Sequence, residues 1–215
     1  MMLAKNFPQI LRILKKTYPD AHCSLDFINP FQLLISTILS AQCTDERVNK
    51  VTPELFKRFP TPEKMSKAKI SELENLIRST GFFKNKAKSL SEASKILMEK
   101  FNGEVPHSIE ELTALKGVGR KTANVVLGSA FGMNEGVVVD THAGRLSRRM
   151  GFTKNIAPVK VEQDLMKIVP QKDWTLFSLM LVFHGRARCM ARNPDCENCE
   201  IKELCPKIMS QRHTA

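Results

Sequence analysis

The chain has 215 residues, 33 of them basic and 22 acidic, for a formal net charge of +11. That length holds one large domain or two small ones with real cores, and 42% hydrophobic with 26% charged residues is ordinary for a globular protein. No apolar run approaches the roughly 20 residues needed to cross a membrane, and the basic surplus points to a polyanionic partner, most often nucleic acid.

Helices dominate the expected elements. Phe7, Ile10, Leu11 and Leu14 fall at helical spacing, so the basic N-terminus reads as a first helix and not as a signal peptide. Phe31, Leu34, Ile35, Ile38 and Leu39 repeat as a buried helical face, interrupted at Ser40 to Thr44. Asp45 is expected to cap the next helix, which ends before Pro60. Thr61 with Pro62 opens a helix, or a pair of short ones, running to Gly81 as a C′ glycine. Lys84 to Lys100 forms another, stopped by Asn102-Gly103.

Ser108 with Glu111 reads as a capping box for a short helix to about Leu115. Further helices are expected at Arg120 to Phe131, Thr141 to Met150, Pro158 to Ile168 and Trp174 to His184. Val137 to Val139 is strand-like but too short to found a sheet, so the expected fold class is all-α. The tail after Pro206 is expected to be loose.

Two motifs carry chemistry. The first is the run Lys116-Gly117-Val118-Gly119-Arg120-Lys121, a tight turn between two helices. Glycines there allow positive φ and leave backbone N–H groups uncovered at a helix start, where an anion such as a DNA phosphate is favoured. Such a turn is also a common helix–turn–helix corner. Lys121 adds weight, because the first helical turn should lower its pKa toward that of a Schiff-base nucleophile. Asp140 heads Thr141-His142-Ala143-Gly144-Arg145 and can cap that helix, act on a substrate, or both. Lys116, Arg120, Arg145, Arg148 and Arg149 can neutralise flanking phosphates.

The second motif is Cys189-x6-Cys196-x2-Cys199-x5-Cys205. Four thiols in so polar a stretch have little apolar surface to bury them, and without an export signal the cysteines belong in a reducing cytoplasm. A soft metal centre therefore outweighs disulfides or buried thiols. The spacing matches neither the paired knuckles of zinc sites nor the short ferredoxin run, so it leaves zinc and iron–sulfur both open.

Together the hairpin, Val139-Asp140-Thr141-His142 and the cysteine loop resemble the endonuclease III family of helix-hairpin-helix DNA glycosylases. Leu39 to Asp45, Val48-Asn49-Lys50, Gly81-Phe82-Phe83-x-x-Lys86-Ala87 and His184-Gly185-Arg186 fit as well, so the resemblance spans nearly the whole chain. It implies two helical lobes with a DNA cleft between them. Residues 24–134 would form a six-helix lobe with the hairpin. Residues 1–23 plus 135–215 would form a cluster lobe, its 4Fe–4S cluster held by Cys189, Cys196, Cys199 and Cys205 in the loop 189–205.

The resemblance further implies a glycosylase and abasic-site lyase of base excision repair. It would be a cytoplasmic monomer, nucleoid-associated in a bacterium, acting on double-stranded DNA with oxidised pyrimidines or abasic sites. Lys121 would be the nucleophile and Asp140 the assisting carboxylate. Gln42 matches the residue that fills the gap left by an extruded base. Phe82 stands where the family often has Leu as a wedge, and Lys116 replaces its usual Pro. Gly117, Gly119, Arg120, Arg145, Arg186 and Arg192 complete the expected DNA contacts. The related adenine glycosylase lacks the hairpin lysine and carries a further C-terminal domain. A non-catalytic metal-bearing DNA-binding or redox module leaves Lys121 with Asp140 unexplained.

Overall fold

Residues 3–208 are described by the computed structural model, and they contain helices but no strand. The expected loose tail falls mostly beyond them, outside the described residues. Eleven α-helices occur among the described residues, in two compact units, one continuous and the other interrupted by it along the chain. Among the described residues, no helix is long and apolar enough to cross a membrane.

One unit is Cys23–Met133. It contains α2 (Pro30–Leu39), α3 (Asp45–Arg58), α4 (Pro62–Ser66), α5 (Ile70–Ile77), α6 (Phe83–Phe101), α7 (Ile109–Thr113) and α8 (Arg120–Phe131). Numbered from the chain start, they follow α1 (Phe7–Thr17) of the other unit. Buried apolar side chains of α2, including Leu34, Ile35 and Ile38, pack with Leu55, Leu73, Leu90, Val126 and others into one core. That core fixes α8, and with it the hairpin that precedes α8.

Caps define the helix starts. Asn29, Thr44, Thr61 and Ser108 each accept a backbone N–H from three residues on, at 2.9–3.3 Å. Thr44, not Asp45, therefore caps α3, because Asp45 already lies in its first turn beside Glu46. There its charge faces the helix dipole instead. The stretch from Thr61 resolves into two short helices and a 3-10 turn at Arg78–Thr80. Gly81 follows with φ 70° and ψ 155°, positive but outside the left-handed helical region of an ordinary C′ glycine.

The other unit joins the segment up to His22 with the chain from Asn134 onward. It holds α1, α9 (Thr141–Arg149), α10 (Pro158–Met166) and α11 (Trp174–Ala187). Phe7 meets Phe152 and Phe177 edge-on in its core, with ring centroids 5.2 and 5.5 Å away. Leu14, Leu146, Leu165 and Leu181 surround them. The strand-like Val137–Val139 run forms no strand, and the Val138 N–H donates to Ser178 Oγ at 2.9 Å.

Candidate functional site

The hairpin is anchored by its apolar residues. Leu115 and Val118 are buried, while Lys116, Gly117, Gly119, Arg120 and Lys121 are exposed around them. The two glycines do different work. Gly117 has φ +81°, and a Cβ there would come within 3.0 Å of the Ser89 side chain. Gly119 does not use the positive φ that glycine allows. It is extended at φ −99° and ψ 175°, and a Cβ would meet nothing within 4 Å. It is the N-cap of α8 yet offers no side-chain oxygen to the first amides, which suits an external anion there. Lys121 follows in the first turn of α8.

Two exposed residues of the same unit have unusual backbones. Gln42 and Phe82 hold φ of 52° and 47°, in the left-handed region. For residues other than Gly, Asn or Asp, that conformation costs roughly 1–2 kcal/mol. Phe82 is 64% exposed, so no burial of its ring offsets the strain. Strain of this kind gathers where a side chain must be presented for a purpose.

Asp140 caps α9, its Oδ1 accepting the Ala143 N–H at 2.7 Å. The other end of α9 grips the cysteine loop. Arg149 Nη1 donates to the Met190 carbonyl at 2.6 Å and to Cys189 Sγ at 3.3 Å, and Nη2 reaches the Ala191 carbonyl at 2.9 Å. The Arg149 carbonyl in turn accepts from Ile208 N at 3.0 Å and Cys205 Sγ at 3.8 Å. One residue thus holds both ends of the loop.

Arg145 also departs from its expected role against phosphate. Its Nη2 donates to the carbonyls of Cys189 and Gly185, at 2.9 and 3.3 Å, and burial lowers its pKa. The guanidinium is turned inward as a brace. Arg188 is likewise held within the loop, by Glu200 at 3.1 Å and Asp195 at 3.4 Å. Arg186 and Arg192 are exposed.

Cys189, Cys196, Cys199 and Cys205 line one pocket, together with His184, Arg149 and Ile201. His184 is buried between Tyr18 Oη, 3.0 Å from Nδ1, and Cys199 Sγ, 3.6 Å from Nε2. Burial pushes its pKa down to about 4. Among the described residues, no group of three or more His, Cys, Asp or Glu side chains is arranged for a single ion.

Residues 35–171 match the HhH-GPD superfamily of base excision DNA repair proteins, and residues 189–205 match the iron-sulfur binding domain of endonuclease III. An endonuclease III of Synechocystis sp. is 57% identical over 202 residues, which is 94% of this chain and 92% of the relative. The chain belongs to the endonuclease III family.

A Bacillus subtilis endonuclease III is 43% identical over 87% of this chain and 86% of its own. The structure of a trapped endonuclease III–DNA covalent intermediate superposes with a TM-score of 0.90 at 44% identity, covering 95% of this chain and 96% of that one. As a member of this family, the protein is a DNA glycosylase and abasic-site lyase of base excision repair. Its cofactor is a 4Fe–4S cluster. The site fits such a group: four soft sulfur donors surround a space rather than a point. Burial raises the thiols of Cys199 and Cys205, so binding iron must displace their protons.

The loop-gripping roles of Arg145 and Arg149 were not legible as sequence, where both read as surface cations. Arg149 ends an amphipathic helix, and a cation at a helix end is ordinarily assigned to the dipole or to solvent. The strain at Gln42 and Phe82 left no signal either, since neither residue type favours positive φ.

Proposed function

We propose that the enzyme removes oxidised or ring-saturated pyrimidines, and cleaves abasic sites, through a Schiff base on Lys121. A damaged base is reached only after flipping, which costs less when saturation has weakened its stacking. The Lys121 amine attacks C1′ of the deoxyribose and the base departs with its bonding electrons. Ring opening gives an iminium that acidifies the C2′ proton. Loss of that proton expels the 3′ phosphate by β-elimination. Asp140 balances positive charge developing on the sugar and assists proton transfer.

Gln42 and Phe82 occupy the space opened in the duplex. Gly117, Gly119, Lys116 and Arg120 hold a phosphate at the hairpin, and exposed Arg186 and Arg192 hold others. Cys189, Cys196, Cys199 and Cys205 ligate the cluster; when bound, it ties four points of the loop and keeps these arginines in register. Cys23–Met133 serves as the hairpin lobe and the remainder as the cluster lobe of a cytoplasmic, nucleoid-associated monomer.

The observation that carries this reading is an exposed lysine in the first turn of α8, two residues after a glycine N-cap that makes no side-chain hydrogen bond to the helix amides. Support also comes from the 44% identical endonuclease III that was trapped as a covalent DNA intermediate. Borohydride trapping on a duplex with one abasic site tests it. A covalent adduct is expected with the parent and none with Lys121→Ala. Tight binding with no adduct in the parent would remove the lyase assignment of Lys121.

A further inference from the structure

Lys86 is a lysine where a core residue would be expected. It is 5% exposed, and its Nζ donates to the Thr80 carbonyl at 2.8 Å. Burying a cation is unfavourable, and a buried ionic group is weak evidence of a role in stability. The position of Lys86 offers a reason other than stability for its presence. It lies in the first turns of α6, directly below the turn that carries Phe82. Its backbone N–H donates to the Phe82 carbonyl at 3.1 Å, while its ammonium holds the carbonyl two residues earlier. Thr80 is itself fixed, buried with its Oγ1 on the Ile77 carbonyl at 2.8 Å.

We propose that Lys86 is a positioning residue for DNA engagement, clamping the Thr80–Phe82 turn at both ends so that Phe82 is presented in its strained, exposed conformation. The inference rests on the reading of Phe82 as the wedge. Gly81 and Phe82 both carry positive φ, and a turn of two such residues relaxes unless its flanks are fixed. Burial also lowers the Lys86 pKa.

The test uses the cluster-loaded enzyme and a duplex with a non-cleavable abasic analogue opposite 2-aminopurine. Fluorescence reports unstacking of the opposing base, and thermal melting is followed alongside. Phe82→Ala should lose the fluorescence response and bind roughly tenfold more weakly. Lys86→Met should melt at or above the parent temperature, yet show the same loss. The double variant should be no worse than Phe82→Ala alone. If the methionine variant does not fold, Lys86→Gln is taken through the same assays, with partial loss expected because its shorter side chain still carries a donor.

If Phe82→Ala loses the response while Lys86→Met keeps it, the clamp is wrong and the wedge stands. Additive losses in the double variant, with a lowered melting temperature for Lys86→Met, would make Lys86 a packing residue only. A Phe82→Ala variant that responds like the parent removes the wedge reading and this inference with it.

Discussion

Replacing Gly117 and Gly119 by alanine, one at a time, separates the two jobs of the hairpin. At Gly117 an alanine would have to hold φ +81°, at about 1–2 kcal/mol. Its Cβ would also stand 3.0 Å from the Ser89 side chain and 3.5 Å from Ile38 Cγ2, so the neighbours must shift, at roughly 1 kcal/mol or more. The sum, about 3 kcal/mol, corresponds to a fall of roughly 6–12 °C in melting temperature for a chain of this size. Gly119 is extended with open space around it, so alanine there should move stability by less than about 1 kcal/mol. Its methyl group would instead stand where a phosphate approaches the α8 amides. Affinity for an abasic-analogue duplex should fall about tenfold, near 1.4 kcal/mol. Thermal melting of the holo-protein and equilibrium binding at fixed salt read both quantities. Unaltered DNA binding by Gly119→Ala would refute the phosphate cradle. Equal destabilisation by both variants would refute the division of labour.

Other substitutions test neighbouring assignments. Asp140→Asn keeps a good N-cap, so melting should shift by less than roughly 2 °C while single-turnover base release falls about 10²–10⁴-fold; a matching loss of stability would mean that capping is its main role. Arg149→Met releases both the Cys189 end of the loop and its Met190 and Ala191 carbonyls. Visible absorbance of the cluster should then bleach several-fold faster under an iron chelator, and an unchanged rate would count against the grip. The Lys86 pKa is lowered by burial, so the folded state binds fewer protons than the unfolded state between its folded value and the ordinary lysine value near 10.4. Stability therefore gains a contribution as pH rises through that alkaline window. Denaturation of the parent minus that of Lys86→Met should show this slope, and a flat difference would mean that Lys86 is not desolvated.

Much of the helical scaffold was legible because its determinants are local. The apolar spacing in α2, the Thr61-Pro62 start of α4 and the Ser108 cap each declare themselves within a few residues. The cysteine loop was legible as chemistry for the same reason, since its four donors lie close in sequence. What escaped depends on partners far along the chain. Arg149 and its contacts at Met190 and Ala191 are separated by 41 and 42 residues, and Lys15 meets Asp173 across 158. Thr44 displaced Asp45 as a cap because either side chain could serve, and the chain direction entering α3 selected between them. The different roles of Gly117 and Gly119 were not legible because glycine permits both signs of φ, and identity alone does not say which one is used.

The backbone at Gln42 and Phe82 bears on any attempt to make this enzyme hardier. At Asn102, with φ 51°, the chain puts a residue type that tolerates the left-handed region at a helix end. At positions 42 and 82 it does not, so glycine or asparagine there would relieve local strain. A thermostabilisation campaign scored on melting temperature alone would be drawn to these two positions early. On the roles proposed for Gln42 and Phe82, it would select variants that survive heat and no longer part the bases, so such a screen needs a repair readout beside the thermal one.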